Sequence, residues 1–318
     1  MTAYVPSPAS RPHGLSRRSL LRAGALGGLA VTVGSTGLLS ACGSGDIVSA
    51  LVPTRFISFG DGLSDLGQGS TGLRYTINDG TLNTWADRLA NRYGLLLTAQ
   101  KAGGQGYAQG HAVGSALPRT LAQQIDAFLA SNTLGSADVV LINLPMTDVL
   151  TAMAAVKAGT LTESAALAQV DAVGRAHVVQ VKRLIAAGAQ YIVVAGVYDL
   201  GKSPWAIAQA QESLFTSASI KLNDAFKTDA VNLGKNLLFV DAAFLVNRNA
   251  LAETRGSYGF VQVTTPICTT PDAFTCTSGT LVSGATASQY LFADQIHMTP
   301  AGNIYLGDYA YDQLRARW

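Results

Sequence analysis

The sequence predicts a single α/β/α domain of three layers, built on a mainly parallel, doubly wound sheet. Three observations predict it. Short apolar runs with strand character alternate with longer amphipathic stretches from residue 56 to the C-terminus. No internal repeat divides the chain. Its 318 residues are 48% hydrophobic and only 13% charged, ample for one packed core.

Phe56-Ile57-Ser58-Phe59 reads as a buried first strand, and Tyr75 to Asn83 as a polar, glycine-containing loop. Thr84 to Tyr93 has helical spacing and stops at Gly94, and Leu95 to Ala99 reads as a short second strand. The glycine-rich run Ala102 to Ala112 is no nucleotide loop, because it lacks a terminal Gly-Lys-Ser/Thr and an acidic residue at ribose distance. An amphipathic helix over Leu117 to Ser131, starting at Pro118, leads to a third strand, Ala137 to Leu144. A long helix from about Glu163 to Ala187 stops at Gly188 and feeds a fourth strand, Gln190 to Val197. Another helix near Ala206 to Leu233 and a strand Asn236 to Asp241 follow. After a Thr/Pro-rich loop holding Cys268 and Cys276, Thr299 can cap the last helix, with Pro300 in its first turn.

The N-terminus stands apart from this domain. Ser16-Arg17-Arg18-Ser19-Leu20-Leu21-Arg22 resembles a twin-arginine export signal, followed by an apolar segment from Ala23 to Ala41. Leu39-Ser40-Ala41-Cys42 resembles a bacterial lipobox, which implies cleavage before Cys42 and lipidation of that cysteine. The alternative is an uncleaved anchor, since about 19 uncharged residues just span a bilayer. The division is then 1–41 signal, 42–53 lipidated tether and 54–318 globular domain. With Gly43 rather than Asp after the cysteine, sorted lipoproteins imply an outer-membrane or periplasm-facing destination in a bacterial envelope. The leader carries Arg11, Arg17, Arg18 and Arg22 and no acid; taking those four from 22 basic residues leaves 18 against 20 acidic ones. The mature domain therefore offers no phosphate-binding surface, and no nucleic-acid partner is expected. In an exported chain Cys268 and Cys276 are expected to pair as a disulfide; two free thiols are the alternative, and no further Cys or His stands at metal-ligand spacing.

Five short motifs carry the functional reading. Gly60-Asp61-Gly62-Leu63-Ser64-Asp65-Leu66-Gly67 follows the first strand, where open α/β sheets place their chemistry. The string resembles block I of the GDSL, or SGNH, family of lipases and esterases, usually Gly-Asp-Ser-Leu-Ser-Asp-x-Gly. The glycine-rich run resembles block II, with Gly106 at the family's Asn and His111 at its second Gly, so that Gly110 or its neighbour is the oxyanion glycine. Pro145-Met146-Thr147-Asp148 resembles block III, Gly-x-Asn-Asp, with Thr147 at the oxyanion-binding Asn and Asp148 kept. Tyr198 to Pro204 resembles a Leu-Gly-x-x-Pro element, and Asp294-Gln295-Ile296-His297 resembles block V, Asp-x-x-His. The resemblance, closest to the phospholipase/lecithinase/hemolysin-like branch, spans nearly all of residues 54–318.

It implies an ester hydrolase whose acid and base are Asp294 and His297, the carboxylate fixing the imidazole tautomer. It implies an oxyanion region at Gly110 and Thr147, with Asp61 and Asp148 as retained block residues and no cofactor or metal. The family's serine position, however, is Gly62. Loss of a serine nucleophile alone costs on the order of 10⁶ in turnover. Substitutes are Ser64, Ser58, Thr147 or a water activated by the dyad; His111 reads as a loop residue and His177 has no assigned role. Two functions follow for a chain expected to be a monomer held to the membrane through Cys42: a modified esterase acting on acyl esters of lipids or carbohydrates, or a catalytically silent relative that binds a lipid, glycan or protein partner.

Overall fold

Arg55–Phe59 (β1), Asp138–Asn143 (β2), Tyr191–Ala195 (β3) and Leu237–Val240 (β4) pair in that spatial order as one parallel sheet. This is seen in a computed structural model that describes residues 50–80, 82–111, 118–250 and 258–318. The export signal, Cys42 and most of the tether lie outside the described residues. Phe59, Ile142, Val194 and Phe239 lie in register across the sheet. The strands read as near-continuous apolar runs, as a parallel sheet covered on both faces requires.

Outside β1 a short piece of chain completes the sheet. Ser58 N donates to Gln105 O at 3.0 Å and Tyr107 N donates to Ser58 O at 2.7 Å. The chain thus leaves β1 towards one edge and returns to β2 on the other side, which makes the gap between β1 and β2 the topological switch point of a doubly wound sheet. This edge differs from the expectation. Leu95 to Ala99 is not a strand: Leu96 is 85% exposed and only Ala99 forms a bridge, to Gly106. The glycine-rich turn folds back, with Gly106 N donating to Thr98 O and Gln100 N to Gly106 O at 2.8 Å, and its own far end fills the place beside β1.

Helices flank the sheet in two packed groups. Trp85–Arg92 (α1) packs against the C-terminal helix, which spans Pro300–Arg317. Leu121–Leu129 (α2), Met146–Lys157 (α3) and Glu212–Asp229 pack against Glu163–Ala186 (α4). Between α4 and β4 the chain forms α5 (Pro204–Ala208) and α6 (Glu212–Asp229); α7 (Ala242–Ala250) follows β4 and α8 is the C-terminal helix. Capping sets several starts: Thr84 with Asp87 at α1, Thr120 with Gln123 at α2, and Thr299 at α8. Capping by Thr120 is why α2 starts later than Pro118. The helix expected over Ala206 to Leu233 is broken, because Ala210 takes φ 52° between α5 and α6. Among the described residues no helix is long and apolar enough to cross a membrane.

Candidate active site

Asp294 and His297 sit on the turn that enters α8. His297 Nδ1 lies 2.8 Å from Asp294 Oδ2, and that oxygen also accepts Ala273 N at 2.8 Å. The other carboxylate oxygen accepts Ile296 N at 2.8 Å and His297 N at 2.6 Å. Every side of a carboxylate that is 5% exposed is therefore paired. Burial opposes charge on His297, but the Asp294 carboxylate and its hydrogen bond raise the imidazole above its ordinary value. For Asp294 burial pushes upward, and His297 with the turn's N–H groups brings the carboxyl below the ordinary value. The donor Ala273 comes from the loop closed by the Cys268–Cys276 disulfide. With Nδ1 facing the carboxylate, Nε2 is left for a reaction partner.

That nitrogen faces Gly62. A Cβ at residue 62 would lie 3.0 Å from His297 Nε2 and 3.1 Å from Tyr75 Cγ. Tyr75 is the residue the sequence motifs did not single out. Its ring is 5% exposed, stacks at a tilt 5.0 Å from the His297 ring and 5.3 Å from Phe274, and lies over Gly110, where an added Cβ would meet Tyr75 Cε2 at 2.0 Å. The ring thus fills the space bounded by Gly62, Gly110 and His297. Burial, followed by the carboxylates of Asp65, Asp272 and Asp61, pushes the Tyr75 phenol far above its ordinary value, so it stays neutral and is no nucleophile.

The donors assigned to an oxyanion by resemblance are engaged elsewhere. Gly110 N donates to Asp65 Oδ2 at 2.8 Å, while Asp65 Oδ1 accepts Gly67 N and Gln68 N. Thr147 donates from both N and Oγ1 to Asp61 Oδ2, at 3.2 and 3.3 Å. Asp61 also accepts Met146 N and Asn143 Nδ2 at 2.7 Å, and Leu63 N at 3.2 Å. Asp61 consequently ties the β1 loop to β2 and caps the first turn of α3, a helix absent from the sequence reading.

The substitute hydroxyls fare no better. Ser64 Oγ accepts Trp85 Nε1 at 2.8 Å and is fully buried. Ser58 is fully buried within β1, its hydroxyl without a partner among the described residues. His111 has a buried Nδ1 without a partner among the described residues, and Asp148 and His177 line a cavity beside the block I loop. Among the described residues Asp272, Asp294 and His297 form the one cluster close enough to hold a cation, with ligand atoms within 4.8 Å of one another. Asp294 already spends its oxygens on four donors, so this is a hydrogen-bonded dyad with a neighbouring carboxylate.

The GDSL-like lipase/acylhydrolase family matches residues 56–310. The chain belongs to this family. Solved structures of lipolytic proteins resemble it at low identity. A lipolytic G-D-S-L protein from Veillonella parvula is 10% identical, with 81% of this chain and 96% of that one covered and a TM-score of 0.45. Phospholipase A1 from Streptomyces albidoflavus is 15% identical, with 83% and 98% covered and a TM-score of 0.40. An extracellular lipase from Streptomyces rimosus is 18% identical, with 83% and 100% covered and a TM-score of 0.39. A comparison with curated protein sequences found no match. Within this GDSL-family chain, the block V dyad is assembled in hydrogen-bonded form, whereas blocks I, II and III meet around Asp61, Asp65 and Tyr75. Only the coincidence of glycines at 62 and 110 hinted at a ring between them.

Proposed function

We propose that this GDSL-family chain is an exported, lipid-anchored protein of the bacterial envelope that binds a lipid-like or acyl-ester molecule without hydrolysing it through an acyl-serine. The observation that carries this reading is the Tyr75 ring, which covers Gly62, Gly110 and His297 together. Water activated by the dyad across the missing side chain is the competing route, and the same ring opposes it by occupying that space. The engaged amide of Gly110 and the engaged Thr147 hydroxyl support the reading further, since removing one oxyanion donor costs roughly 10² to 10³ in turnover. The test is turnover of p-nitrophenyl acetate and butyrate by the mature protein beside His297→Ala. The two should be indistinguishable from each other and from buffer. Turnover by the parent that disappears in His297→Ala overturns the reading. For the anchor, the expected outcome is recovery of the protein in the membrane fraction and its release by Cys42→Ala.

A further inference from the structure

A second concavity opens beside the covered dyad. It has a volume of about 420 Å³ and lies over Gly60 and Asp61, between the carboxyl ends of β1 and β2. That is the switch point of the sheet, where open α/β folds receive ligands, and the size is in the range of small-molecule sites. Neither Gly62, Tyr75 nor His297 lines it. Its walls are the facing sides of three helices: Leu121 of α2, Asp148 and Thr151 of α3, and Val170, Val173 and His177 of α4.

Two acceptors in this wall take no donor from another described residue. His177 Nδ1 lies 2.9 Å from the Val173 carbonyl, so in the neutral ring the proton sits on Nδ1 and Nε2 carries the lone pair. Burial lowers the His177 pKa, against the pull of the Val173 carbonyl and of the Asp148 and Asp61 carboxylates, which keeps the ring neutral near pH 7. The Asp148 carboxylate, accessible from the cavity, accepts its own backbone N–H and no donor from another described residue; burial raises its pKa, against the pull of His177. Asp61, the other acid, is saturated by its five donors. The one cation of the lining, Arg119, is exposed. A carboxylate and an imidazole lone pair beside valine and leucine walls call for a ligand that brings donors, positive charge and an apolar body.

We propose that this cavity binds a small amphiphile with a protonated amine head, the ammonium donating to Asp148 and to His177 Nε2 while its hydrocarbon lies along Leu121, Val170 and Val173. The proposal rests on the reading of the protein as a binding member of its family and names the head group that the site selects.

The experiment is calorimetric titration of the mature protein at pH 7.5 with hexylammonium, 1-hexanol and hexanoate in turn. Hexylammonium should bind saturably, at least about tenfold tighter than hexanol, with hexanoate weakest. Asp148→Asn and His177→Phe should each weaken hexylammonium by about tenfold or more while leaving hexanol within about threefold, with unfolding transitions matching the parent to show that both variants fold. Hexanoate binding as tightly as hexylammonium would assign the site to Arg119 and overturn the proposal. So would an unchanged affinity in Asp148→Asn, or no saturable binding of any of the three. Ester turnover on the same preparation is read separately. Turnover with amine binding defeats only the non-hydrolytic reading, and neither turnover nor amine binding defeats only this site.

Discussion

The Asp294–His297 turn and the Gly62 loop belong to the same family pattern, yet one holds its acid and base in hydrogen-bonded form and the other carries glycine at the family's serine position. The turn is local: carboxylate, imidazole and two of the donors lie within four residues, and one further amide comes from the disulfide loop. The Gly62 side is assembled from three distant segments, and each of these groups has an internal partner: Asp65 for Gly110, Asp61 for Thr147, Trp85 for Ser64. The short-range hydrogen bonds of the dyad also order the entry to α8. An oxyanion site survives only while its donors stay unpaired for a ligand, and buried donors left unpaired cost about 1–3 kcal/mol each. Pairing such donors inside the protein stabilises the fold.

The largest effect is expected at the hub of the altered side. Asp61→Ala should destabilise by about 4 kcal/mol in urea unfolding, since buried donors from Leu63, Asn143 and Met146 lose their acceptor. A loss under about 1 kcal/mol would mean that the internal pairing is not what holds this side closed. Next, Gly62→Ser alone should restore little ester turnover, because its Cβ would already sit 3.0 Å from Nε2 and 3.1 Å from the Tyr75 ring. Combining it with Tyr75→Ala should raise turnover by about 10²-fold over Gly62→Ser; equal rates would remove Tyr75 from the account. On the retained side, Cys268→Ser with Cys276→Ser should cost about 2.5 kcal/mol by the chain-entropy argument for a bridge with a sequence separation of 8. It should also loosen Ala273 from Asp294, read as faster exchange of that amide.

The smallest effect is electrostatic. His297, raised in the folded state, contributes stability that is complete below the ordinary imidazole value near 6.5 and is lost as pH rises through its folded value. Asp294, lowered, contributes above the ordinary carboxyl value near 3.9 and loses that contribution as pH falls through its folded value. The pair should therefore stabilise most between roughly pH 4 and 6.5, and His297→Gln should flatten that maximum in pH-dependent unfolding.

Most of the fold was legible in the sequence because the strands are apolar runs and the helices carry caps such as Thr84, Thr120 and Thr299. The failures have local causes. Leu95 to Leu97 has strand composition but loses its edge to the glycine turn at Gly106, a contest between two segments that neither one announces. The helix α3 lacks a side-chain cap of its own at Pro145, and its first turn is held by Asp61, 85 residues from Met146. In the site, the pairing of Asp294 with His297 was legible through the resemblance of Asp294-Gln295-Ile296-His297 to block V, and the contact is contained in four residues. Tyr75 was not, because an aromatic opening a polar loop becomes meaningful only when Gly62 and Gly110 are brought to its two sides.

The most direct test of the central claim, that no hydroxyl is presented to His297 Nε2, is intact-mass spectrometry of the mature protein after exposure to a fluorophosphonate. The expected result is an unmodified mass in the parent and a single adduct in Gly62→Ser with Tyr75→Ala. A single adduct on the parent that is abolished by His297→Ala would contradict it.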